Sequence, residues 1–256
     1  MDALAQQLQD LPIEIYRFPT LDSTNNEARR RLPTQEKPYA LYIAQEQSAG
    51  RGRRGRDFYS PPNTGLYMSL AQKTIGTDST KTLVQKTTNT DSTKNTTLTA
   101  FVAVAVAEAV AEITGHQVGI KWVNDLYYQG KKVCGILCER VQDGTIIGVG
   151  INLLTADFPA SIAETAGALM ADITQKDRLT AAITRRLAAR PDTTETYMHK
   201  YRARSLVLGK PVRFEQNGVW KEGVAEDIAD DAALWVRLPS GERLSLRSGE
   251  ITLRLQ

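Results

Sequence analysis

Cysteine and histidine are scarce in this chain, with two of each in 256 residues. That excludes a zinc centre built from Cys and His. Cys134 and Cys138 lie four apart in a β-branched run, so on a strand they would face one side about 13 Å apart, too far for a disulfide. Both are expected in the core. A strong excess of charge is also missing: the formal net charge is +3, and no broad basic field recruits nucleic acid. The longest strongly apolar run, residues 98–110, is too short and alanine-rich to cross a bilayer, so no membrane partner is expected. The N-terminal residues lack the basic flank and apolar stretch of a secretory signal. What remains is a cytoplasmic globular protein whose 41% hydrophobic residues can bury a sizeable core in one large domain, or one large and one small.

The positive charge that matters is local. Gly50-Arg51-Gly52-Arg53-Arg54-Gly55-Arg56 puts four guanidinium groups and three glycines into seven residues. Glycine lets main-chain N–H groups approach a ligand, and each arginine offers a rigid fork of donors that matches carboxylate or phosphate. Alone, the heptamer also fits a nucleic-acid-binding tail or a surface loop. Its context narrows the choice, because an apolar run of strand length at 39–44 precedes it and a second strand candidate at 66–70 follows a turn-rich segment. The cluster is therefore a loop inside a folded domain. RG-rich tails repeat their motif, and this chain has one copy.

Asp22-Ser23-Thr24-Asn25 reads as a helix start, with the plain expectation that Ser23 or Asp22 caps it. Residues 73–97 form a Thr/Ser/Lys/Asn-rich insertion containing a short duplication, expected to be disordered. A buried helix is then expected from Leu98 to Ile113. β-like runs at 117–123, 132–140 and 145–153 follow, with Gln129-Gly130 and Asp143-Gly144 as hairpin turns. Residues 178–189 have an amphipathic helical pattern, and a further helical stretch runs from Pro191 through Tyr201. From Ser205 onward, five short strands in about 50 residues predict a small closed or SH3-like barrel. The expected division is 1–204 and 205–256, with an α+β mixed sheet layered with helices in the first part.

Lys121-Trp122-Val123-Asn124-Asp125-Leu126 places a lysine at a strand end beside a tryptophan. Gly148-Val149-Gly150-Ile151-Asn152 lets backbone approach a flat ligand. Together with Ser23-Thr24-Asn25, the segment from Ala44 to Arg56 and the strand from Cys134 to Glu139, these motifs resemble the biotin protein ligases along essentially the whole chain. The resemblance implies a class II synthetase-like biotin/lipoate ligase catalytic domain with a small C-terminal β-barrel. It implies biotin and ATP as substrates, Mg²⁺ with the nucleotide, and the biotin carboxyl carrier protein of acetyl-CoA carboxylase as acceptor. It also implies that Ser23, Thr24, Asn25 and Gln47 hold the biotin rings, that Arg51, Gly52 and Arg53 close over carboxylate and phosphate, and that Lys121 lies between the two anions. Trp122, Asn124 and Asn152, with Arg53, would line the nucleotide side. Two departures concern backbone geometry: Val123 stands where the family usually has proline, and Gln45 where it has an acid. About twenty residues before Ser23 cannot form a helix-turn-helix, so a monofunctional ligase, monomeric or homodimeric, is expected. A lipoate or octanoyl ligase and a nucleic-acid-binding module are the competing readings.

Overall fold

The computed structural model describes residues 2–74, 92–189, 193–216, 218–247 and 251–253. Helix α1 (Ala3–Gln7) is followed by β1 (Ile13–Leu21), α2 (Thr24–Arg31), β2 (Tyr39–Gln47) and β3 (Gly65–Lys73). Next come α3 (Ser92–Thr114), β4 (Gly119–Lys121), β5 (Asp125–Tyr128), β6 (Lys131–Val141) and β7 (Gly144–Asn152). Helices α4 (Lys176–Ala188) and α5 (Glu195–Ala203) lead to β8 (Pro211–Gln216), β9 (Val219–Ile228), β10 (Leu234–Arg237), β11 (Arg243–Leu246) and β12 (Ile251–Leu253). The first seven strands form one sheet in the order β1-β2-β3-β7-β6-β5-β4, with β1 and β2 parallel and every other neighbour antiparallel. This is the expected mixed sheet layered with helices. The last five strands make a separate antiparallel sheet, ordered β11-β10-β9-β8-β12.

Strand alternation decides which face does what. On β7, Ile147, Val149 and Ile151 are buried in the main core beneath α3, α4 and α5. The alternate positions Gly148 and Gly150 turn to the opposite face, where α2 packs on β2, β3 and β7. That core continues into the second sheet through Val212, Phe214 and Val236. The second sheet is also tied to the first by the Trp122 indole, which donates to Ala232 O at 2.9 Å, and to α5 by Arg202, which pairs with Asp230 at 2.5 Å.

Several expectations need correction. Helix α3 begins at Ser92, six residues before the expected start, so the end of the polar insertion is helical; residues 75–91 lie outside the described residues. The run expected to be too short for a membrane lies in this longer helix, whose segment Asn95–Thr114 is long and apolar enough by length and composition alone. It is a core helix, with Val102, Val106 and Ala109 fully buried. The expected strand 117–123 is only β4, since Trp122, Val123 and Asn124 turn the chain into the unpredicted β5. Gln129 and Gly130, both at positive φ, then close the hairpin to β6. Cys134 is buried as expected, while Cys138 is only half-buried.

Candidate active site

The glycine face of the sheet, the start of α2 and the Arg/Gly loop enclose a cavity of about 140 Å³. Ten of the eleven residues singled out above line it: Ser23, Thr24, Asn25, Gln47, Arg51, Gly52, Arg53, Lys121, Trp122 and Asn124. Asn152 does not. It sits at the end of β7, buried, with Nδ2 donating to Gly167 O at 2.9 Å and Oδ1 unpartnered among the described residues.

One wall is polar and ordered by its own hydrogen bonds. Gln47 Oε1 accepts from the Thr24 N–H at 2.9 Å, and its Nε2 donates to Ser60 Oγ at 2.8 Å. Buried Ser69 lies behind, 2.5 Å from Asn25 Oδ1 and 2.8 Å from Thr24 Oγ1. Ser23 takes the N-cap position of α2, but its hydroxyl makes no capping bond. The plain capping role is therefore corrected for Ser23, which faces the cavity. Asp22 instead accepts from Arg30 at 2.7 Å and from Asn26 at 2.8 Å. The Arg30 guanidinium holds the Asp22 carboxyl well below the usual carboxylate range.

The floor is flat because it is glycine. Gly135 on β6 and Gly150 on β7 are directly opposite in register, and the Phe58 ring lies over both: a Cβ at Gly150 would come 2.5 Å from the ring, and one at Gly135 3.0 Å. Phe58 escaped sequence reading because it sits among turn residues.

The remaining wall is cationic. The Arg/Gly loop folds as a small hairpin, bridged between Arg51 and Asp57, with Arg54 and Gly55 both at positive φ. Among the described lining residues are six basic side chains (Arg51, Arg53, Arg54, Arg56, Lys121 and Lys132) and two carboxylates (Asp57 and Asp125). Arg53 Nη1 donates to Asn124 Oδ1 at 3.1 Å, and burial pulls its pKa down from the ordinary value. A guanidinium so placed still keeps its charge. Lys121 and Asp125 are opposite in register, and Lys132 Nζ reaches Asp125 Oδ1 at 2.8 Å. Two lysines thus flank one carboxylate. Sequence reading took Lys121 and passed over Lys132, a lysine beside a hairpin turn; only the pairing of β5 with β6 reveals its position. The Trp122–Val123 peptide is cis.

A cavity of this make-up suits a ligand with a neutral polar ring at one end and clustered anions at the other. The Biotin/lipoate A/B protein ligase family model matches residues 17–154, more than half of the chain, and the chain belongs to that family. A second model, the biotin protein ligase C-terminal domain, matches residues 207–254. The chain is 29% identical to the Mycobacterium tuberculosis biotin--[acetyl-CoA-carboxylase] ligase over 82% of its own length and 77% of that protein's. It is 34% identical to the bifunctional ligase/repressor BirA of Bacillus subtilis over 58% of this chain, spanning 44% of that relative's length. Among solved structures, the biotin protein ligase from Aquifex aeolicus in complex with biotin and ATP superposes with a TM-score of 0.75. The identity is 25%, with 95% of this chain and 99% of that one covered.

Proposed function

We propose that this enzyme activates biotin with ATP as biotinyl-5′-AMP and transfers the biotinyl group to a lysine of a biotin carboxyl carrier protein of the acetyl-CoA carboxylase type. The observation that carries the reading is the meeting of a self-ordered polar wall with a six-cation wall across a glycine floor. The rings of biotin fit the first, and its carboxylate points to the second. Two like charges about 4 Å apart repel by about 4 kcal/mol at an effective dielectric of 20. Lys121, Lys132, Arg51 and Arg53 offset that repulsion as a biotin carboxylate oxygen bonds to the α-phosphorus and diphosphate departs. They also stabilise the charge of the pentacoordinate transition state. In the second step, the carrier lysine amine attacks the acyl carbonyl and AMP leaves.

Among the described residues, no group of three or more His, Cys, Asp or Glu could hold a resident metal. Asp125 Oδ1 is already taken by Lys132 Nζ at 2.8 Å and Asn124 Nδ2 at 2.9 Å and does not suit a cation as well; a Mg²⁺ would arrive on the triphosphate and neutralise phosphate charge there. Trp122, Asn124 and Arg53 would border the nucleotide. Asn152 would act from outside the cavity, through its buried unpartnered Oδ1.

Biotin-dependent exchange of labelled pyrophosphate into ATP tests the reading. Exchange supported by lipoate in place of biotin would move the chain to the other branch of its family. Neither would show a nucleic-acid-binding module at work. The biotin-ligase names of the relatives and the C-terminal domain match favour biotin. Arg53→Ala is expected to weaken the adenylate complex about tenfold and to raise the release of free biotinyl-AMP, since the loop no longer closes against Asn124. Chromatography of the reaction supernatant measures that release, and wild-type retention of the intermediate would remove Arg53 from this role.

A further inference from the structure

Glu139 belongs to a motif that the proposed chemistry leaves without a task, yet it touches two parts of the site. It follows Gly135 and Leu137 on the cavity face of β6, and its side chain is only 15% exposed. Its carboxylate accepts from Asn25 Nδ2 at 2.9 Å and from Arg29 Nη2 at 2.6 Å. Arg51 approaches both oxygens, Nη1 to Oε2 and Nη2 to Oε1, each at 3.3 Å, while Nη1 also donates to Asn26 Oδ1 at 3.1 Å.

We propose that Glu139 is a positioning residue for the biotin-activation step, anchoring the Arg51 guanidinium at the cavity and fixing the amide orientation of Asn25. The inference rests on the biotin-ligase reading. A guanidinium carries five N–H donors. The bonds to Glu139 and Asn26 engage the outer edge of Arg51 and leave its remaining donors for an anion in the cavity. A two-oxygen acceptor is what holds such a fork in one plane. For Asn25, Glu139 takes the Nδ2 side and Ser69 the Oδ1 side, so the amide has one orientation toward the ligand. The second guanidinium, Arg29, offsets the charge of Glu139, so an acid can stand at the rim of an anion site without repelling the ligand.

The test measures biotin-dependent pyrophosphate exchange for wild type, Glu139→Gln, Glu139→Asp, Arg51→Ala and the Arg51→Ala/Glu139→Gln double variant. Biotin and ATP are varied separately, and thermal melting is recorded for each. Glutamine can still accept from Asn25 but loses the charged two-oxygen grip on Arg51. Glu139→Gln is therefore expected to raise KM for biotin about tenfold, with KM for ATP and the melting temperature little changed. Adding Glu139→Gln to Arg51→Ala is expected to change KM by less than about twofold, because the group it acts through is gone. Aspartate keeps the charge at shorter reach and should recover part of the loss. A wild-type KM in Glu139→Gln overturns the proposal. So does an undiminished effect in the Arg51→Ala background, an aspartate variant no better than glutamine, or a loss that follows a lowered melting temperature. Wild type inactive with biotin would instead overturn the parent reading, and this inference with it.

Discussion

Lys132→Ala is expected to lower biotin-dependent pyrophosphate exchange by about two to three orders of magnitude, the scale on which removal of one preorganised electrostatic group acts. Asp125 stands opposite Lys121 on β4 and opposite Gly135 on β6, and Lys132 crosses back to it at 2.8 Å. Lys132 is thereby held over the glycine floor with its stem along Gly135; a Cβ there would lie 3.5 Å from Lys132 Cε. Its charge meets whatever anion lies on that floor. Lys121→Ala should cost at least tenfold, mostly in kcat rather than in biotin affinity, since a cation between carboxylate and phosphate matters most when the two meet. Its Nζ also lies 5.6 Å from the centre of the Tyr127 ring, a contact that holds it at the cavity edge. Single-turnover adenylate formation and equilibrium biotin binding separate the two effects. Near-normal turnover in either variant would remove that lysine from the chemistry.

The contrast between these lysines shows what the sequence could convey. Lys121 was legible because tryptophan and Asn-Asp turn chemistry surround it in one short motif. Lys132 was not, because its meaning depends on a strand, β5, of only four residues hidden between two turns. The same limit explains Phe58 and Ser69, whose partners lie across the sheet rather than along the chain. Gly148 and Gly150 were legible, since glycines alternating with valine and isoleucine on a strand announce one packed face and one open to close approach. Helix α3 was misjudged at its start because threonine and asparagine have weak helix preference, and their polar composition resembled the insertion they end. The long strands β2, β3, β6 and β7 were found from apolar runs and turns alone. They supply the glycine floor and Gln47, while the other nine candidate residues that line the cavity come from the start of α2, the Arg/Gly loop, and β4 with the turn that follows it.

Gly148→Ala is expected to weaken biotin binding about a hundredfold or more while leaving the protein folded. No positive φ is involved at this position, so the backbone accepts alanine and the difficulty is one of space alone. A Cβ there would run into Asn25 Oδ1 and lie 2.9 Å from Asn25 Cγ. Asn25 cannot move aside cheaply, because Ser69 holds its oxygen and Glu139 its nitrogen. Either those bonds break and the amide leaves its place, or α2 lifts from the sheet. Overpacking of this kind costs about 1 to 3 kcal/mol, and the displaced atoms are those proposed to meet the biotin rings. Gly135→Ala provides the graded comparison: its Cβ would crowd the edge of the Phe58 ring at 3.0 Å and make ordinary contact with Lys132 Cε at 3.5 Å. That ring sits on a loop and can give, so a change of only a few-fold is expected there. Calorimetric titration with biotin, alongside thermal melting, distinguishes the two variants. Equal biotin affinity in Gly148→Ala and wild type would show that Asn25 is not part of the biotin wall.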